Sequence, residues 1–232
     1  DQGAMVLVIK PDGSSQIGKA TELDSAHNVT SSRYQIQLEA GGGAHVSAES
    51  NVKGLGAPDY RRAYATAATR KTVFEQAWSR TFPGLSVEKV ELSDLEALEK
   101  PVNLSFALEV PRYADATPEG GLRFSPFGRA RSYVEGFAPL SSRRFDLVLG
   151  YPWENHFDYA YTLPAGMTVK DLPAPAEVKT PFGNVSLKYE LKGQTLTATG
   201  QVVLTSAMAV SCFWRAWKKK AIGSNIGPRI PN

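Results

Sequence analysis

The sequence predicts a mostly-β fold, β-sandwich-like, with one long amphipathic helix, a short C-terminal helix and two subdomains. Three observations predict it. Apolar and polar residues alternate in many short stretches, the period of a half-buried strand. Turn signals rich in Gly and Pro separate these stretches at roughly even spacing, as in a sandwich. One stretch alone, between Asp59 and Thr81, repeats its apolar residues with the period of a helix.

The elements follow in chain order. Met5–Ile9 is an apolar run that ends at Lys10-Pro11-Asp12-Gly13-Ser14, a strand followed by a turn. In Arg33–Glu39, Tyr34, Ile36 and Leu38 face one way and Arg33, Gln35 and Gln37 the other. Gly41–Gly43 turn the chain, and Val46, Ala48, Ser50 and Val52 continue as a second strand, giving a hairpin with one wet face. Pro58-Asp59 opens the predicted helix, residues 59–81. Tyr60, Tyr64, Ala67, Phe74 and Trp78 form its apolar stripe, too narrow for full burial, so the helix is expected to lie across a sheet. Pro83-Gly84 stops it. Leu85–Leu92 is a strand. Ser93 and Glu96 have the spacing of a capping box, which predicts a short helix at 93–99. Leu104, Phe106, Leu108 and Val110 then alternate with polar residues.

From Tyr113 to Ser142 the chain is rich in Pro, Gly and Arg, a long connection with one strand near Leu122–Phe124. The subdomain boundary is placed there: residues 1–112 carry the helix on a sheet, and 113–232 form an antiparallel sandwich. In the second part Phe145, Leu147 and Leu149 alternate, and so do Phe157, Tyr159, Tyr161 and Leu163. Pro152 places that second strand after it, because proline cannot donate to a ladder. Val185, Leu187, Tyr189 and Leu191 alternate after the Thr180-Pro181-Phe182-Gly183 turn. Lys192-Gly193-Gln194 is a hairpin loop, and Leu196, Ala198, Val202 and Leu204 follow, with Gly200 expected as a bulge.

Composition sets outer bounds. With 232 residues, 42% hydrophobic and 21% charged, the chain holds one large domain or two small ones. The net charge is +3 and the pI about 8.9, with both signs interleaved, which lacks the dense basic face of a nucleic-acid domain. No stretch approaches the roughly 18 apolar residues of a membrane span. Residue 1 is Asp with no signal pattern after it, so the expectation is a processed chain or a piece of a longer one. A single cysteine, Cys212, makes no internal disulfide.

The series RRFDLVLGYPWENHFDYAYTLPAGMTVKDLPAPAEVKTPFGNVSLKYEL resembles the C-terminal β-rich region of bacterial transglutaminase-like proteins, which join a domain of unknown function to a transglutaminase core. Its most specific parts are Tyr151-Pro152-Trp153, Leu163-Pro164-Ala165-Gly166 and Thr180-Pro181-Phe182-Gly183. The resemblance covers roughly residues 5 to 205, and the tail after Ser206 departs from it. In that family a Cys-His-Asp triad does the chemistry, in a core that would precede residue 1; no triad position falls in this chain. The resemblance therefore implies a non-catalytic module of a cell-envelope protein, periplasmic or outer-membrane associated, that binds another protein or its own upstream core. Two alternatives follow: part of an acyl-transfer or peptidase enzyme with its triad upstream, or a membrane-surface binder.

Candidate site residues weigh against plainer roles. Cys212 with His27, His45 or His156 lacks a nucleophile motif, so no catalytic residue is assigned. Glu154, His156 and Asp158 alternate and would share the wet face of a strand, where three ligands could hold a metal; a solvated face is the preferred reading, and no metal or cofactor is assigned. Trp214, Trp217, Lys218, Lys219 and Lys220 form a basic aromatic segment suited to an anionic membrane surface, with a packed C-terminal helix preferred. Arg123, Arg129, Arg131, Arg143 and Arg144 make the long connection a candidate contact surface for acidic partners. A protein partner is expected, and nucleic acid is not. Asn28, Asn103 and Asn184 head glycosylation sequons by pattern alone.

Overall fold

The computed structural model describes residues 2–79, 82–127, 147–206 and 208–209. In chain order the strands are β1 (Met5–Ile9), β2 (Ser15–Lys19), β3 (Val29–Leu38) and β4 (Ala44–Val52). Two short helices follow, α1 (Ala57–Ala63) and α2 (Arg70–Trp78). Then come β5 (Ser86–Leu92), β6 (Val102–Val110), β7 (Asp115–Ala116), β8 (Leu122–Arg123) and β9 (Leu147–Val148). The last are β10 (Trp153–Thr162), β11 (Ala176–Thr180), β12 (Gly183–Lys192), β13 (Thr195–Leu204) and β14 (Met208–Ala209).

The molecule is mostly β. One eight-stranded sheet runs β11-β12-β13-β10-β3-β4-β6-β5, and it draws strands from both sides of the 112/113 division. Its neighbours are antiparallel except at the centre, where β10 runs parallel to β3 with Tyr159 beside Tyr34. Three two-stranded pairs stand apart: β1-β2, β7-β8 and β14-β9.

Alternation decides which face is dry. Tyr34, Ile36 and Leu38 on β3, Val46 and Ala48 on β4, and Leu104, Phe106, Leu108 and Val110 on β6 are all buried in one cluster. Tyr161 and Leu196 extend it onto β10 and β13. An aromatic layer lines it: Tyr34 stacks on Tyr159 at 4.3 Å, and Phe74 meets Phe106 at 4.7 Å. The opposite face carries the polar alternates.

The predicted long helix over 59–81 is not formed. α1 and α2 are separated by an extended residue at Thr66 and a 3-10 turn at Ala67–Thr69. Arg70 Nε donates to the Tyr64 carbonyl at 2.7 Å, so the end of α1 is capped by a side chain instead of a continuing helix. A straight helix of that length would run about 34 Å, whereas the sheet beneath it twists. The break lets both pieces follow it: Tyr60, Tyr64, Phe74 and Trp78 all pack on the core, and Ala67 is exposed.

The short helix predicted at 93–99 is also absent. Ser93 Oγ accepts from the Asn103 N–H at 3.0 Å and is spent as a cap. Asp94 Oδ1 instead accepts from the Glu96 N–H at 3.0 Å, a local turn. The carbonyls of Leu95, Ala97, Leu98 and Lys100 converge on the Arg61 guanidinium. Gly200 is not a bulge: pairing runs unbroken through it on both sides. Its missing side chain makes room for the Phe157 ring. The C-terminal helix predicted from the tail lies outside the described residues.

Candidate functional site

Two strand starts meet where β3 and β10 run parallel, and Asn28 joins them. Asn28 is 3% exposed. Its Nδ2 donates to the Pro152 carbonyl at 2.9 Å, and its Oδ1 accepts from the Leu55 N–H at 3.0 Å. The Gln2 amide adds two longer contacts, at 3.3 and 3.4 Å. Gly54 closes the corner with φ +78; a Cβ there would run into the His27 carbonyl and Asn28.

Next to this joint lies a chain of polar side chains. Ser25 Oγ donates to Glu154 Oε1 at 2.8 Å, and Glu154 Oε2 lies 2.9 Å from His156 Nε2. The Gln201 amide is 3.2 Å from that same ring nitrogen. One imidazole nitrogen serves one of these neighbours at a time, donating to the carboxylate or accepting from the amide. The serine addresses the carboxylate, not the imidazole, so the order nucleophile–base–orienter is not met. The Glu154–His156–Asp158 metal candidate is split, with Glu154 and His156 paired and Asp158 making no bond to either.

Asp158 belongs to a different row. Across five strands the wet face sets Asp158, Arg33, Glu49, Ser105 and Glu91 side by side. The next row holds His156, Ser31, Asn51 and Asn103. Both line a dish of about 710 Å³. Within it Asn51 Nδ2 donates to Asn103 Oδ1 at 2.7 Å. Farther along the same face, one ligand atom each of His45, Glu88 and Glu109 lie within 4.8 Å of one another, and all three residues are exposed. Sequence reading missed this trio because three strands supply it; Glu88 sits at the register shift of β5.

Sequence reading found the first strand and turn of the hairpin β1-β2 but not its second strand or its exposure. Met5, Leu7, Ile9 and Ile17 are 72%, 61%, 71% and 74% exposed. Leu7 pairs with Ile17, so the four share one face. At the base of the hairpin the Ala20 N–H donates to the Ala4 carbonyl, and Gln2, just before β1, reaches Asn28 in the body.

Of the predicted contact residues, Arg123 is exposed on β8 opposite Asp115. The Glu119 carboxyl nearby is held below the usual range, first by its own backbone N–H and then by the Thr117 hydroxyl, with Lys170 and Arg123 adding to it. Arg129, Arg131, Arg143, Arg144, Cys212, Trp214, Trp217, Lys218, Lys219 and Lys220 lie outside the described residues. Among the sequon asparagines, Asn28 is buried with its amide committed, and Asn103 accepts from Asn51. No helix among the described residues is long and apolar enough to cross a membrane.

Neither a curated protein nor a solved structure matches the chain. Residues 124–210, which run from the end of β8 to β14 and include β10 to β13 of the main sheet, match a family model described as a domain of unknown function with solved structure, DUF3858.

Proposed function

We propose that this chain is a non-catalytic interaction module that docks on another protein domain through the β1-β2 hairpin. The observation that carries the reading is the stripe of Met5, Leu7, Ile9 and Ile17, each more than 60% exposed. A two-stranded hairpin is marginal on its own in water and gains stability when a further strand or surface covers it. Large apolar side chains gathered on one face are what a docking surface presents. The resemblance to transglutaminase-like proteins of the cell envelope makes a transglutaminase-like core the expected domain, and the match over residues 124–210 fits the domain-of-unknown-function part of it alone. In this reading any acyl-transfer chemistry belongs to the partner.

Hydrogen exchange tests it, comparing the protein in its native assembly with the 232-residue chain alone. The amides of residues 5–9 and 15–19 are expected to exchange at least ~100-fold more slowly in the assembly. Fast exchange there in both samples would overturn the docking role of the hairpin.

A further inference from the structure

We propose that the dish on the wet face of the sheet binds an extended peptide segment that places basic side chains on either side of an acidic one. The first support is the charge row. Asp158, Arg33 and Glu49 stand on adjacent strands as minus, plus, minus. None of the three makes a hydrogen bond or ion pair among the described residues. Along single strands, opposite charges two residues apart do close: Lys89–Glu91 at 3.0 Å, Lys179–Glu177 at 2.7 Å and Lys192–Glu190 at 2.8 Å. The central row therefore offers three unspent charges in alternating order.

The second support is the neighbouring row. Asn51 gives its N–H to the Asn103 carbonyl. That leaves the Asn51 carbonyl as an acceptor and the Asn103 amide as a donor, the complement of one peptide group. Among the described residues no Phe, Tyr or Trp lines the dish, so it lacks the broad stacking platform that nucleobases use. Glu49, Glu91 and Asp158 would repel phosphates.

Spacing fits an extended chain. Adjacent strands lie about 4.8 Å apart, and alternate side chains of an extended peptide about 6.7 Å. Flexible Lys and Glu side chains span the difference. The sign of the preference is diagnostic. The whole chain carries +3, so bulk attraction favours an anionic peptide, whereas the dish favours a cationic one.

The test is an amide-resolved NMR titration with two blocked pentapeptides, lysine-serine-glutamate-serine-lysine and its charge-inverted counterpart. The first is expected to saturate at a concentration at least ~10-fold lower, a difference of about 1.4 kcal/mol. Its shifts should centre on residues 31–33, 49–51, 103–105 and 156–158. Glu49→Gln with Asp158→Asn, both exposed, should erase that preference while leaving distant amides in place. A preference for the anionic peptide, equal affinities, no saturation, or shifts centred elsewhere would each overturn the proposal. A Leu7→Ser, Ile17→Ser hairpin variant should bind the first peptide unchanged, which separates this site from the docking surface.

Discussion

Replacing Asn28 by alanine removes one side chain that serves three segments. Its amide spans the start of β3, the Gly54 corner and the start of β10. In Asn28→Ala the Leu55 N–H and the Pro152 carbonyl both lose their partner. Leaving a buried donor or acceptor unsatisfied costs about 1–3 kcal/mol each. Water reaching one of the two would recover part of that, so the expected loss is on the order of 2–4 kcal/mol. In Asn28→Asp the carboxylate still accepts from Leu55 but cannot donate to Pro152. Near pH 7 its second oxygen would face the Pro152 carbonyl as a buried charge, so the variant should be no more stable than alanine. Urea unfolding followed by tryptophan fluorescence measures both, with the slope checked for constancy. An alanine cost below about 1 kcal/mol, or an aspartate variant as stable as wild type, would refute the view that these two bonds hold the joint.

Phe74→Ala should cost about 3–5 kcal/mol in the same assay, because Phe74 is fully buried against Trp78 and Phe106. Gly54→Ala should cost at least about 2 kcal/mol, since it combines φ +78 with a backbone collision, and its Tm should fall. Burial pushes the Tyr34 hydroxyl up to about 12, and that of Tyr113 also to about 12. The folded state thus favours the neutral phenols. Their contribution is whole below pH 10, where unfolded tyrosine ionises, and is lost as pH climbs from 10 to 12. Denaturation titrations should show this alkaline loss, shallower in Tyr34→Phe; an unchanged slope in that variant would contradict it.

Much of the sheet was legible because burial there follows period two. Tyr34, Ile36 and Leu38, or Leu104, Phe106 and Leu108, announce the dry face without any knowledge of neighbours. The helix misled for an equally local reason. Tyr60, Tyr64, Phe74 and Trp78 keep helical spacing across a break that Arg70 stabilises from outside the pattern. β2 and β11 were missed, being short and, for β2, almost wholly exposed. Pairing is the information that sequence spacing lacks. Nothing in Glu154 signals Ser25, and nothing in Asp158 signals Arg33, until β10 is set beside β3. The wet-face row and the Ser25–Glu154–His156 chain therefore became visible only through the register of strands far apart in sequence.

The parallel contact at the centre of the sheet has a consequence for how the chain reaches this state. Residues 29–38 must wait for residues 153–162, a closure over more than a hundred residues. Contacts this distant slow folding, because the entropy of closing the loop is lost before the contact forms. During synthesis β3, β4, β6 and β5 can assemble early, but the outer edge of β3 stays open until β10 has emerged. That edge is long, with an apolar face behind it, and it offers unpaired amides to any other nascent chain. A chain interrupted before Trp153 would keep it open for good. Such fragments should aggregate, whereas the full sheet presents at its ends only β5, studded with Glu88, Lys89 and Glu91, and β11, with Glu177 and Lys179.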